Sequence, residues 1–181
     1  MTRFVVLLRG VNVGKNKRVP MAEFRDLLLE LGCTSAKTLL NSGNAVVDSK
    51  HRSAASLASA VAEALVEHFG FEVPVVAKSA AEFAKVVAGV GMDTTAVDPS
   101  RLVVAFAQSA AALKSLGAIA PLVEPKEQFV LGRDAAYLHC SNGILESAAG
   151  EALLGKLGKG CTTRNWATVT KLHGLLGSEP A

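Results

Sequence analysis

The sequence predicts an α+β protein built from two ferredoxin-like subdomains in tandem, each of the βαββα type. Their sheets are expected to be antiparallel or mixed, with helices on one face. Half of the 181 residues are apolar and only 19% are charged, a composition that forms a sizeable core and excludes a disordered chain. The first half follows the order β-α-β-β-α-β, and the second half repeats similar elements. The halves also begin alike, with Arg3-Phe-Val-Val and Arg101-Leu-Val-Val.

A stretch rich in Gly, Asp and Thr divides the chain. Residues 89–100 carry no apolar periodicity and contain Pro99, which makes them the best candidate for a linker. The predicted domains are therefore residues 1–88, a ferredoxin-like subdomain with a connecting helix, and residues 101–181, a second α/β subdomain with two C-terminal helices.

Apolar runs and helical stripes define the elements of the first half. Residues 4–8 are apolar and β-branched, as in a buried strand. A helix is expected after Pro20, because proline suits the first helical turn, and Gly32 marks its end. Its apolar face comprises Phe24, Leu27, Leu28 and Leu31. The remaining elements are strands at residues 37–40 and 45–47 around a Ser-Gly turn, a helix capped by Ser53, and a strand at residues 73–77.

The second half is predicted from the same kinds of signal. Ser79 and Glu82 have the spacing of a capping box and predict the connecting helix. Strands are expected at residues 101–107, 127–131 and 135–140, and helices at residues 109–116, 147–157 and 164–176. Thr163 is the expected cap of the last helix.

The distribution of charge is more informative than its total. The net charge is only +3, which does not by itself indicate a nucleic-acid or membrane partner. Residues 1–22 nevertheless contain five basic side chains before the first acid, Glu23, and residues 152–178 contain four and no acid. We therefore expect two basic segments on an otherwise acidic chain.

The first basic segment contains a loop, residues 10–18, between a predicted strand and a predicted helix. Such a loop can direct backbone N–H groups and basic side chains towards an anion. The loop matches neither a P-loop nor a GxGxxG motif. In a β-α-β-β-α-β unit it emerges at the same end of the sheet as the turn at residues 41–44. The candidate ligand-binding residues at this edge are Arg9, Asn12, Gly14, Lys15, Lys17, Ser42 and Asn44.

The second basic segment adds two candidates, Arg164 and Asn165, placed in the first turn of the last predicted helix. A cation there opposes the helix dipole unless an anion lies nearby, which makes Arg164 a functional candidate. Cys161, just before the helix, could act as a nucleophile, but no base lies at a suitable spacing.

Other classes of site find little support. The three cysteines have no paired spacing, so no metal site and no cofactor are expected, and an odd number of cysteines fits a reducing cytoplasm. No apolar run is long enough to span a membrane. Specific nucleic-acid binding is disfavoured, because the predicted central strand at residues 44–48 carries no aromatic residue for stacking on bases.

Four ordered blocks resemble the signature of a bacterial family catalogued as domain of unknown function 1697. The blocks are Leu8-Arg-Gly-Val-Asn-Val-Gly-Lys-Asn, Val19-Pro-Met-Ala-Glu-Phe-Arg, Leu40-Asn-Ser-Gly-Asn and Thr162-Thr-Arg-Asn-Trp-Ala-Thr-Val-Thr-Lys-Leu. The resemblance covers nearly the whole chain. It implies an α/β fold with ferredoxin-like parts and a bacterial cytosolic protein. It implies no reaction, because the family has no established biochemical activity.

The chain departs from the usual family pattern at three places. The loop has Gly14 alone where the family has two glycines, Asn41 stands where the family has Gln, and Leu145-Glu-Ser-Ala replaces Gly-Arg-Ser-Lys. The last difference removes two basic residues near Glu146.

We therefore expect a protein that binds a small phosphorylated or carboxylated ligand through its basic segments. Three alternatives remain open: an enzyme acting on such a ligand, with Cys161 or a bound water as nucleophile; a weak, nonspecific nucleic-acid binder; and a structural or interaction module without a ligand. Sequence alone defines neither catalytic residues nor the oligomeric state.

Overall fold

The computed structural model describes residues 1–177, which form two compact units. The first unit comprises Met1–Phe83 and residues 172–177, and the second comprises Ala84–Lys171. The strands are β1 Thr2–Leu8, β2 Ser35–Leu39, β3 Asn44–Ser49, β4 Val75–Ser79, β5 Leu102–Ala107, β6 Gln128–Leu131, β7 Ala136–His139 and β8 Cys161–Asn165. The helices are α1 Met21–Glu30, α2 Ala54–Phe69, α3 Ala80–Ala88, α4 Ala110–Ser115, α5 Ala148–Leu154 and α6 Trp166–Gly177. Two 3₁₀ helices span Leu116–Leu122 and Ile144–Glu146.

The first unit contains a four-stranded antiparallel sheet in the order β2-β3-β1-β4. Alternate residues of β1 (Phe4, Val6 and Leu8) point to the face that packs against α1 and α2. Helix α1 contributes its predicted apolar face, including Phe24, to this core, and α2 contributes Leu57, Val61 and Leu65. The strand β1 is central, which is why it is apolar on both faces.

Helix ends in the first unit follow the local signals. The Ser53 hydroxyl accepts a hydrogen bond from the Ser56 amide at 3.1 Å and caps α2, which ends at Gly70 with φ +75°. The capping box before α3 is confirmed, because the Ser79 amide donates to Glu82 Oε2 at 2.7 Å and the Glu82 amide donates to Ser79 Oγ at 3.3 Å.

The second unit contains another four-stranded antiparallel sheet, in the order β6-β7-β5-β8. One face of β5, with Val103 and Ala105, packs in a core with Leu138 of β7 and with Ala149 and Leu153 of α5. Both sheets are purely antiparallel, so the mixed pairing that the sequence left open does not occur in the described residues.

The structure corrects the prediction of a helix over residues 164–176 capped by Thr163. Residues Cys161–Asn165 form β8, in which Thr162 pairs with Phe106 and Arg164 pairs with Val104. The helix begins at Trp166, and Asn165 is its cap, since the Asn165 side-chain oxygen accepts a hydrogen bond from the Thr168 amide at 2.9 Å. Long-range pairing with β5 therefore overrides a local pattern that resembled a helix start.

Smaller differences concern the ends of elements. The helix expected over residues 147–157 ends at Leu154, ahead of Gly155 and Gly158. The helix expected over residues 109–116 is followed at once by a 3₁₀ helix that includes Pro121. Within residues 1–177, no helix combines the length and the hydropathy needed to cross a bilayer.

Candidate functional site

The connection from β1 to α1 contains the basic loop, defined as residues 10–18. Its backbone turns repeatedly through the left-handed region, with φ +66° at Gly10, +58° at Asn12, +65° at Gly14 and +51° at Lys17. Glycine adopts this region without strain, whereas asparagine and lysine require support from the rest of the structure.

The side chain of Asn12 supplies that support. Its Oδ1 accepts a hydrogen bond from the Val19 amide at 2.9 Å, and its Nδ2 donates to the Val19 carbonyl at 2.9 Å. The same Nδ2 donates to the Asn41 carbonyl at 2.7 Å. The side-chain amide of Asn12 therefore closes the basic loop and joins it to the turn between β2 and β3. The two segments lie side by side, as the element order predicts.

The hairpin turn, defined as residues 40–43, approaches β1 closely. The Leu8 amide donates to the Gly43 carbonyl at 2.8 Å. A Cβ atom on Gly43 would lie 2.5 Å from Leu8 Cβ, and Gly43 has φ +78°, so only glycine fits this position. Leu40 also has a positive φ, +57°, and its side chain is 54% exposed.

Two of the predicted ligand-binding residues, Ser42 in the turn and Asn44 just after it, hydrogen-bond each other. Asn44 is fully buried, and its Nδ2 donates to the Leu39 carbonyl at 2.8 Å and to Ser42 Oγ at 2.9 Å. The structure thus places Asn44 at the start of β3, where its buried side chain holds the backbone of the turn, while Ser42 lies at the exposed surface.

The basic side chains lie at the surface of the edge that the basic loop and the hairpin turn form together. Lys15, Lys17 and Arg18 are exposed, and Arg9 is half-buried. Lys17 Nζ donates to the Glu72 carbonyl at 2.9 Å, and the Arg9 amide donates to the Pro74 carbonyl at 2.9 Å. The segment before β4 therefore also borders the basic loop. Glu72 and Pro74 were not anticipated from the sequence, because both act through backbone carbonyls.

The start of α1 adjoins the basic loop. Pro20 occupies the cap position and makes no side-chain capping hydrogen bond. By contrast, the hydroxyl groups of Ser53, Ser109 and Ser147 cap α2, α4 and α5. The amides of the first turn of α1 therefore have no side-chain acceptor from the cap residue.

The second basic segment is built differently. Arg164 lies on β8 and is only 8% exposed, and its Nη1 donates to Thr162 Oγ1 at 2.8 Å and to the Thr163 carbonyl at 2.7 Å. Burial lowers the pKa of Arg164 to about 10, so the guanidinium remains charged at neutral pH. Asn165, the other candidate in this segment, uses its side chain to cap α6.

The structure offers little for thiol or metal chemistry. Cys33, Cys140 and Cys161 form no disulfide and are buried. Burial raises the pKa of Cys33 and of Cys140, which disfavours their thiolate forms. Cys161, the candidate nucleophile, belongs to the core of the second unit and is 3% exposed. Among residues 1–177, no three His, Cys, Asp or Glu side chains are grouped so that they could hold a metal ion.

The fold and the edge together define an α+β protein with two antiparallel sheets and a basic loop fastened to a hairpin turn. The chain belongs to DUF1697, a family of proteins of unknown function, whose sequence model matches residues 1–137. It is also similar to the solved structure of the conserved bacterial protein SP0830 from Streptococcus pneumoniae. The two share 25% sequence identity with a TM-score of 0.79, over 97% of this chain and 98% of that one. No curated protein matches the sequence.

Proposed function

We propose that the protein binds a small anionic ligand, phosphorylated or carboxylated, at the edge formed by the basic loop and the hairpin turn. The proposal depends on the three hydrogen bonds made by the side-chain amide of Asn12. These bonds hold the basic loop, with its exposed cations, in one conformation. A preorganised loop binds with a smaller loss of conformational entropy than a mobile one.

Electrostatics support an anion rather than a cation at this edge. The first 22 residues contain no acidic side chain, so no carboxylate of that segment competes for Lys15 and Arg18. Within residues 1–177, neither of these two side chains makes an ion pair or a side-chain hydrogen bond. The loop also places several residues in the left-handed region, a backbone conformation from which anion-binding nests are built.

The proposed site residues are those predicted from the sequence, with roles divided by the geometry. Arg9, Gly14, Lys15, Lys17 and Ser42 would face the ligand, and Asn12 and Asn44 would hold the backbone that presents them. We add Arg18, an exposed cation of the same loop, to the residues that would face the ligand. The other two predicted residues, Arg164 and Asn165, belong to the second unit, where their side chains serve β8 and α6, and the proposed edge does not include them.

The test is a thermal-shift assay of the full chain with inorganic phosphate, adenosine monophosphate and citrate. At least one anion is expected to raise the melting temperature of the wild type. The shift should fall sharply in the double variant Lys15→Ala/Arg18→Ala, which removes two exposed charges and no observed contact. Lys50→Ala is the matched control, because Lys50 is an exposed lysine that follows the far end of β3.

Two outcomes would overturn the proposal. One is the absence of a shift with every anion, which would favour the structural or interaction module. The other is an equal loss of the shift in Lys50→Ala, which would indicate nonspecific attraction of anions. An enzymatic role or weak nucleic-acid binding would require turnover or a strong salt dependence in the same variants.

We further interpret both units as ferredoxin-like. The element order β-α-β-β-α-β and the strand orders β2-β3-β1-β4 and β6-β7-β5-β8 support this interpretation. A cytoplasmic location is likewise our proposal, supported by three cysteines that form no disulfide.

A further inference from the structure

We propose a second ligand site, in the second unit, for an amphipathic anion: a carboxylate or phosphate head on a short apolar body. The site is an open groove of about 380 Å³ between α4 and the loop that joins β6 to β7. Its volume falls within the range of small-molecule sites. Its lining residues are Ala110, Leu113, Lys114, Leu131, Gly132 and Arg133.

One wall of the groove is apolar. Ala110 and Leu113 lie one helical turn apart on α4, and Leu131 ends β6 opposite them. Leu131 is 43% exposed, so an apolar group of a ligand could cover it. Burying this surface would favour a body of a few methylene groups or one ring.

Two cations supply the polar end of the groove. Lys114 and Arg133 are both exposed, and neither makes an ion pair or a side-chain hydrogen bond with any residue that the structure describes. An arginine fork and a lysine ammonium on one anionic head provide both geometry and charge. The N-terminus of α4 does not contribute, because Ser109 Oγ already accepts from the Ala112 amide at 3.1 Å.

The position of the groove also corresponds to the edge proposed as a site in the first unit. In the matching element orders, α4 corresponds to α1, and the β6–β7 loop corresponds to the hairpin turn between β2 and β3. The two sites would use the same edge of similar sheets. They differ in that the second offers apolar surface beside its charges.

The experiment is an NMR titration of the full, ¹⁵N-labelled chain with four probes: octanoate, octyl phosphate, octanol and inorganic phosphate. We expect octanoate or octyl phosphate to shift amides of residues 110–114 and 131–133. Octanol and inorganic phosphate should bind more weakly, because each lacks one half of the recognised chemistry. A preference between the two amphipathic probes would identify the head group.

Variants separate the contributions of charge and apolar surface. Lys114→Ala/Arg133→Ala is expected to weaken octanoate binding on the order of tenfold. Leu131→Gln should weaken it while leaving binding of the charged head alone unchanged. All three substitutions are at exposed positions, so the folded spectrum should be retained. The matched control is Lys126→Ala, an exposed lysine of the same unit outside the groove.

The proposal is overturned if none of the probes shifts these amides, if inorganic phosphate binds as tightly as octanoate, or if Lys126→Ala has the same effect as the double variant. The result is independent of the site in the first unit. Lys15→Ala/Arg18→Ala should leave octanoate binding unchanged, so failure at one site does not imply failure at the other.

Discussion

The two units have equivalent strand orders but differ in the length of the connection between the first strand and the first helix of each unit. In the first unit, the 12 residues from Arg9 to Pro20 connect β1 to α1. In the second unit, Gln108 and Ser109 alone connect β5 to α4. A scaffold of this kind needs only the shorter connection, so the longer one is available for a specialised role. The sheet is therefore the common scaffold, and the loop is the part that sets the first unit apart.

The largest expected effect comes from Gly43, which brings the hairpin turn against β1. Gly43→Ala should lower the free energy of unfolding by about 3 kcal/mol, because the added methyl group meets Leu8 Cβ at 2.5 Å and the residue has φ +78°. Gly32→Ala is the control for backbone strain alone, since Gly32 has φ +85° and a Cβ atom added there would have no other atom within 4 Å. That variant should lose only about 1 kcal/mol. Equal losses in urea denaturation would show that close packing against Leu8 is unimportant.

A smaller loss is expected at Asn12, the residue that closes the long connection of the first unit. Asn12→Ala removes three hydrogen bonds and places a less tolerant residue at φ +58°. We expect a loss of about 2 kcal/mol and faster hydrogen exchange at the Val19 amide. Asn16→Ala, at an exposed position of the same loop, should change neither quantity. Unchanged exchange at Val19 in Asn12→Ala would contradict the role of Asn12 in closing the loop.

The ion pair between Arg3 and Asp48 gives the first unit a sensitivity to acid. Arg3 Nε donates to Asp48 Oδ1 at 2.9 Å, and Arg3 Nη2 donates to Asp48 Oδ2 at 3.0 Å. The hydrogen bond from Arg3 holds the pKa of Asp48 below its ordinary value of 3.8, and Ser35 adds to this effect. At the matching end of β5, Arg101 Nε lies 3.8 Å from Asp98 Oδ2, but both side chains are about half exposed, so this ion pair should contribute less.

Because the folded pKa of Asp48 is depressed, its stabilising effect is present above pH 3.8 and is lost as the pH falls through the folded value. Asp48→Asn should therefore lower the free energy of unfolding by about 1.5 kcal/mol at neutral pH. The difference from the wild type should shrink below about pH 4. A difference that is constant from neutral to acidic pH would rule out the ion pair as its source.

The parts of the molecule that depend on local sequence were predictable. The apolar run that became β1, the stripe that begins at Phe24, and the Ser-Gly turn are all short-range signals. The proximity of the basic loop and the hairpin turn was also predictable, because it depends only on element order. The hydrogen bond from Asn12 to the Asn41 carbonyl joins the two segments directly.

The parts that depend on long-range pairing or backbone chemistry were not predictable. The strand β8 is polar, and only its pairing with β5 makes it a strand. One signal was present: β5 is apolar on both faces, as expected of a central strand with a neighbour on each side. The polar groups of Asn12 and Asn44 satisfy backbone atoms instead of facing outward, because a tight turn leaves carbonyls and amides that need partners.

The smallest expected effect is a loss of about 1 kcal/mol of stability in Tyr137→Phe. The stabilisation that Tyr137 provides in the second unit should depend on pH in the opposite direction to that of Asp48. The Tyr137 hydroxyl donates to the Val86 carbonyl at 2.5 Å, and burial, with a further contribution from Asp134, raises its pKa from 10.0 to about 12. A raised folded pKa means that this stabilisation is complete below pH 10 and is lost as the pH rises towards 12.

Tyr137 is the only tyrosine of the chain, so the near-ultraviolet absorbance of tyrosinate reports its ionisation directly. The native protein should titrate near pH 12 and the urea-unfolded chain near pH 10. A native titration near pH 10 would mean that the phenol is accessible to water, and the contrast between the acid-sensitive Asp48 of the first unit and the alkali-sensitive Tyr137 of the second unit would then fail.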